Sequence, residues 1–463
     1  MQLTGPLFLF LFLPLSLLFT PFCPVKYRQG VFSLLSVLWY VLANLGEPLA
    51  MLQLFVVMLA VVVLSVLPDG DYSTLRCAAG VLIPLASLLA ARLAAEYGPA
   101  EYVYPTGLTF VALGAISLAV DRYRGDAPDR DSPLAVLGYL LFFPTLTLGP
   151  ILRYKQYLYM MEHPHVGLDG FSRGVRLYML GFIKRIAVAA VLLRALQTVL
   201  GAQAEEFSVQ ALIFCMVLAY FLFYFFVSGT TDMARGLLSM YGMQPPRGQG
   251  ALLAQIAPHR LLEAMLISLS RYLEDYVAKP ILHRFPARWG RALAGVAVCA
   301  LTLLFYRTRP ELLLLGIPLL LIAALSANKH RSLRNKLPLY WRFPLQLLSC
   351  FLLAMLVLAA LLEEPAELFT HVINAFRGDT SFYHIYSSLA DGAYIAMFFA
   401  GALLVFPLQY FRPVLSRKVS ARARGIALSL STAVLFLGFV ITLIHFMPQF
   451  PQYAQQATFS LFM

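Results

Sequence analysis

Apolar runs of membrane-spanning length, separated by short polar stretches, set the pattern of this chain; residues 5–22 and 207–227, for example, hold no charged side chain. A helix rises about 1.5 Å per residue and must cross roughly 30 Å of hydrocarbon while satisfying its own backbone, so uncharged runs of about 17–25 residues read as spans. The pattern predicts spans near 5–22, 31–67 (one broken or two short), 79–96, 103–120, 133–151, 173–199, 207–227, 250–280, 292–306, 311–327, 341–362, 389–411 and 425–446. These do not all alternate across a bilayer, so the expectation is an all-α, polytopic membrane protein of about eleven transmembrane helices, the remainder short or re-entrant. No Gly/Ser/Pro-rich linker and no internal period divides the chain, which reads as a single integral membrane domain over 1–463. The N-terminal run lacks a basic start and a small-residue cleavage site and is expected to be a retained helix.

Breakers interrupt some of these runs. Pro144 and Gly149-Pro150 fall within "LLFFPTLTLGPILRYKQY". Proline removes an amide donor, and carbonyls freed inside a membrane need protein or trapped water, so this backbone is expected beside a cavity. Ser228-Gly229 predicts a second interruption, after which Thr230 or Thr231 would cap a new helix with Asp232 near its positive end.

Composition sharpens the class: the chain is 60% hydrophobic and 13% charged, too apolar for a water-facing surface. The net charge of +12 comes from clusters scattered between spans, such as Lys26 to Arg28, His283 to Arg291 and Arg412 to Arg424. That spread fits cytoplasmic loops and argues against a nucleic-acid partner. The five cysteines are odd in number and widely spaced, which indicates neither a disulfide framework nor a metal site.

Candidate chemistry is sparse. Asp232 and Arg235 are three residues apart in an apolar stretch and share a helix face, so they can pair, as a structural pin or as the wall of a polar cavity. Arg153, Lys184 and Arg185 are candidates for holding the phosphates of a donor such as a coenzyme A thioester, or simply for snorkelling. None of the eight histidines sits in a metal motif, and there is no Walker loop, dinucleotide fingerprint or nucleophile elbow.

Several segments together resemble the membrane-bound O-acyltransferases, in the bacterial branch containing alginate O-acetylase and the D-alanyl transfer protein of teichoic acids. "YPTGLTFVALGAISLAVDRYRG" (104–125) resembles the branch's Gly-Leu-Ser-Phe segment, and "LFFPTLTLGPILRY" (141–154) its Phe-Phe-Pro and Gly-Pro-Ile block. "GFSRGVRLYMLGFIKRIAVA" (170–189) is similar to the helix that follows, and "SGTTDMARGLLSMYGMQPP" to the Ser-Gly-Tyr-Ser-Asp-Met-Ala-x-Gly segment. The resemblance implies helices around a central funnel, an acyl donor of coenzyme A or acyl-carrier-protein type and no bound cofactor. It further implies an extracytoplasmic polymer hydroxyl as acceptor, membrane or periplasmic partner proteins, and a place in the inner (cytoplasmic) membrane. It makes Ser228, Asp232, Ser268, Ser270, Asp275 and Tyr276 expected cavity-lining residues; Arg235, where the branch usually has an apolar residue, is expected to line the cavity as the partner of Asp232.

The chain departs from the pattern where the chemistry is expected. In "LLEAMLISLSRYLEDYVAKPIL" (261–282) the position of the family's proposed general base is Leu266, and in "LLFYRTRPELLLLG" (303–316) the second histidine position is Arg307. Leucine exchanges no proton and arginine stays protonated, so neither can be a base. His259 lies seven residues before Leu266, on a similar face but about 10 Å along the axis, and is the one candidate surrogate. Two expectations follow: an O-acyltransferase with impaired or absent catalysis, or a non-catalytic scaffold or partner subunit of an acyl-transfer or exopolysaccharide system.

Overall fold

A computed structural model describes residues 5–20, 23–44, 48–66, 74–98, 107–128, 132–146, 149–165, 167–200, 209–245, 267–285 and 421–446, with scattered positions elsewhere. Every regular element among the described residues is helical: α1 Leu13–Phe19, α2 Val25–Ala43, α3 Pro48–Val66, α4 Thr74–Tyr97, α5 Leu108–Tyr123, α6 Pro133–Leu140 and α7 Tyr154–Glu162. The series continues with α8 Leu168–Phe182, α9 Ala189–Leu200, α10 Val209–Met240, α11 Ile267–Leu273, α12 Lys279–Arg284 and α13 Ala421–Phe446. Wider π turns at Phe8–Phe12, Ile183–Val188 and Glu274–Ala278 adjoin α1, join α8 to α9 and join α11 to α12.

Two described segments, Thr74–Ala94 and Val209–Met240, are long and apolar enough to cross a membrane, and Phe8–Phe19, Met51–Val63 and Ser429–Ile444 are shorter apolar stretches. The expected spans at 311–327 and 389–411, and most of 250–280, 292–306 and 341–362, lie outside the described residues. Exposed side chains explain how the apolar helices are used. Leu430, Val434, Leu437, Ile441 and Ile444 of α13 recur every three or four residues and are all more than half exposed, a stripe that in water would be costly and in lipid is not.

The chain forms two compact units, the first from residues 1–178 and 233–247 and the second from 179–232 and 248–461, with the last two residues in the first. In unit 1, α2 to α7 pack on one another. Its core is aromatic. Phe8, Phe12 and Tyr241 surround Phe143 with ring centroids 6.4, 5.2 and 5.7 Å away, while Phe142 meets Tyr157 at 5.3 Å. The adjacent Phe142 and Phe143 are both buried. They can be because α6 stops at Leu140 and residues 141–146 and 149–153 are not helical, freeing consecutive side chains from one helical face.

That irregular segment carries the predicted breakers, and Pro150, Leu152, Leu146 and Tyr139 border a cavity of about 20 Å3, room for about one water. Tyr139 Oη donates to the carbonyl of Leu152 at 2.9 Å, one of the freed backbone groups.

The second predicted interruption is absent. Helix α10 runs from Val209 to Met240 through Ser228-Gly229, and Thr230 Oγ1 donates back to Phe226 O at 2.7 Å instead of capping a new start. Asp232 is therefore in a helix interior, away from any N-terminal positive end. Gly229 serves close approach: a Cβ there would stand 2.7 Å from Gly181 O and 2.9 Å from Arg185 N. In unit 1, a Cβ on Gly236 would meet Gly174 O at 2.7 Å. Such small-residue contacts let helices touch backbone to backbone.

Candidate functional site

The polar cluster of unit 2 is assembled where the π turn Ile183–Val188 faces α10. Lys184 Nζ lies 2.6 Å from Asp232 Oδ2, the two side chains 8% and 14% exposed. The same ammonium donates to Ser228 Oγ at 2.9 Å, one turn earlier on α10. Arg185 reaches the other side of the helix, where its guanidinium lies over the Phe226 ring at 5.0 Å and Nη1 donates to Thr230 Oγ1 at 3.5 Å. The backbone contact at Gly229 sits between these two grips, so adjacent cations straddle α10 at the point where no side chain keeps the helices apart. Widened turns of this kind are rare and recur at functional sites.

Energetically the cluster is a paired charge in an apolar setting. Desolvating an ammonium and a carboxylate costs several kcal/mol each, roughly repaid only when geometry is good and the remaining protons find acceptors. Ser228 supplies one such acceptor. The sequence reading noted that Asp232 and Arg235 can pair and held Lys184 as a candidate for a donor phosphate; the structure adds Lys184 as a partner of Asp232. Charge accounting carried the signal: a lysine and an aspartate in separate apolar stretches each need a counter-ion. Arg235 is half-buried further along α10.

The remaining expected residues are placed as follows. Ser268 and Ser270 are half-buried on α11. Asp275 and Tyr276 lie in the second π turn of unit 2, where Asp275 pairs with Lys279 and the Tyr276 ring is 4.6 Å from that of Tyr272. Arg153, in unit 1, precedes α7, and its N–H donates to Gln156 Oε1 at 3.2 Å. His259, Leu266 and Arg307 lie outside the described residues.

One buried cation was misread from sequence. Arg28, expected in an exposed basic cluster, is 1% exposed. It donates to the carbonyl of Tyr241, just past the end of α10, and lies over the Phe32 ring at 5.5 Å. The carbonyl end of a helix is its negative pole, which offsets a cation there.

Comparison with known proteins places this architecture. Residues 32–250 match the model of the membrane-bound O-acyltransferase family. The chain is 29% identical over 176 residues to the probable alginate O-acetylase of Pseudomonas aeruginosa, a match covering 37% of this chain and 33% of that protein. It is 30% identical over 176 residues to the probable alginate O-acetylase of Pseudomonas putida, covering 37% of this chain and 35% of the relative. Against that of Azotobacter vinelandii it is 30% identical over 173 residues, 37% of this chain and 34% of the relative. The matched part of the chain thus spans about a third of the length of these curated relatives.

Proposed function

We propose that this multi-pass membrane protein is a membrane-bound O-acyltransferase of the alginate O-acetylase type and serves the O-acylation of an extracytoplasmic polysaccharide or cell-envelope polymer. The observation that carries the reading is the match of residues 32–250 to the family model, with 176 residues of the chain about 30% identical to alginate O-acetylases. It includes the helices that hold Lys184, Ser228 and Asp232.

In this reading the whole chain works as one functional unit in the inner membrane. A thioester donor, acyl-coenzyme A or an acyl carrier protein, delivers an acetyl or similar group, and Arg153 and Arg185 are its candidate phosphate contacts. An acceptor hydroxyl attacks the thioester carbonyl: a C–O bond forms, the C–S bond breaks, and the hydroxyl proton ends on the leaving thiol. Ser228, Asp232, Ser268, Ser270, Asp275 and Tyr276, all of unit 2, are the residues proposed to line its polar cavity.

A general base at the acceptor hydroxyl typically contributes about 10² to 10⁴ in rate. Leu266 stands at the base position and Arg307 at the second histidine position, so intrinsic turnover is slow or absent. The same two substitutions favour a second reading, a scaffold that holds donor, polymer or a partner enzyme in the membrane.

Removal of the gene from its host, followed by NMR measurement of ester content in the extracytoplasmic polysaccharide, tests the O-acylation role without presuming catalysis. The proposal expects lost esters, restored by the wild-type gene and not by one encoding Asp232→Leu. Unchanged ester content overturns it. The scaffold reading further expects an acyl-transfer protein to co-purify.

A further inference from the structure

One end of unit 1 gathers three pieces of chain around the same few residues. Arg28 donates to Tyr241 O, His165 N–H donates to Gly242 O at 2.7 Å, and Ser239 Oγ donates to Gly170 O at 2.9 Å. The starts of α2 and α8 are therefore fixed against residues 239–242, and what they expose is held in place.

What they expose combines two chemistries. Leu168 is 88% exposed, Tyr27 61% and Phe171 42%. The same two helix starts carry cations: Lys26 and Arg173 are exposed, and Arg176 is half-buried with Nη1 on Ser172 Oγ at 2.9 Å. Lys26 leans over the Tyr27 ring at 5.7 Å. The exposed acids nearby are Asp169, which sits in the first turn of α8 and answers that helix's positive end, and Glu162 at the end of α7.

A leucine this exposed at a helix start is poorly placed in water and well placed among acyl chains. Lysine and arginine beside apolar anchors extend their charge to headgroup level. We propose that this face is a binding site for an anionic phospholipid, with Leu168, Phe171 and Tyr27 against the acyl chains and Lys26, Arg173 and Arg176 on the headgroup phosphate. The lipid is recognised by its net negative charge, so a zwitterionic headgroup on the same chains binds less well. The inference needs the membrane setting of the fold and is independent of any acyl-transfer activity.

The test uses the full-length protein in detergent, titrated with phosphatidylglycerol or phosphatidylcholine of identical chains and read by native mass spectrometry. Each basic residue near an anionic lipid is worth about a fivefold change in binding. The expected result is at least about tenfold preference for phosphatidylglycerol, reduced to near equality in Lys26→Gln/Arg173→Gln/Arg176→Gln. Arg173→Gln alone, at an exposed position, loses about fivefold and guards against misfolding of the triple variant. Leu168→Ser/Phe171→Ser weakens both lipids alike. Equal binding of the two lipids by the wild type, or an undiminished preference in a triple variant of unchanged helical content, overturns the proposal. So does a triple variant that keeps the lipid preference and loses a co-purifying protein instead.

Discussion

Arg28 in unit 1 and Lys184 in unit 2 are both withdrawn from solvent, 1% and 6% exposed as whole residues, and the fold answers them in different ways. Arg28 meets a backbone carbonyl past the end of α10 and an aromatic face. Lys184 meets a carboxylate and a hydroxyl displayed by the middle of the same helix. The first arrangement ties down a helix end with groups that any chain possesses. The second spends an ionisable side chain on each partner inside an apolar stretch, where a hydrophobic pair of the same volume would hold the helices at least as well. An ion pair kept under those conditions is the more informative of the two about function.

The contrast predicts an order of mutational cost. Lys184→Met or Asp232→Leu alone strands a buried charge and should lose about 3–5 kcal/mol, whereas the double variant should recover most of it. Denaturation in detergent reads this as a large coupling in a double-mutant cycle, and single losses under about 1 kcal/mol would mean that water reaches the pair. Arg28→Met strands no opposite charge and should cost about 1.5–3 kcal/mol, the worth of a charge-assisted hydrogen bond. Equal losses for Arg28 and Lys184 would erase the distinction.

Smaller effects test the supports. Gly229→Ala puts a methyl 2.7 Å from Gly181 O and should lower stability by about 1–3 kcal/mol through forced separation of backbones. If thermal midpoints do not fall, the close contact is not required. Ser228→Ala removes one acceptor from Lys184 and leaves Asp232 in place, for a loss of about 1 kcal/mol in the same measurement.

How far the sequence carried this picture varies with the physics involved. Helices, their apolar character and the break around Pro144 and Gly149-Pro150 were legible because apolar periodicity and a missing amide act locally. Ser228-Gly229 misled for the same reason: a local rule reads glycine as a break, while its use here depends on Gly181 and Arg185, far away in the chain. Asp232 was recognised as an intramembrane acid, but Lys184, 48 residues earlier in the chain, was not named as its partner because that contact is made in the fold and not along the sequence. Arg28 looked like loop charge because its partner is a carbonyl, which leaves no mark in the side-chain pattern.

The proposed function holds that an acyl-transfer fold is kept around Leu266, a position where the family pattern has a proton acceptor. Transfer of labelled acetyl from acetyl-coenzyme A to polysaccharide, by purified full-length protein in proteoliposomes, tests it when wild type is compared with Leu266→His/Arg307→His. The account predicts slow or undetectable transfer by wild type and a gain of about 10²-fold or more in the variant. Rapid wild-type turnover that the added imidazoles do not raise would contradict it.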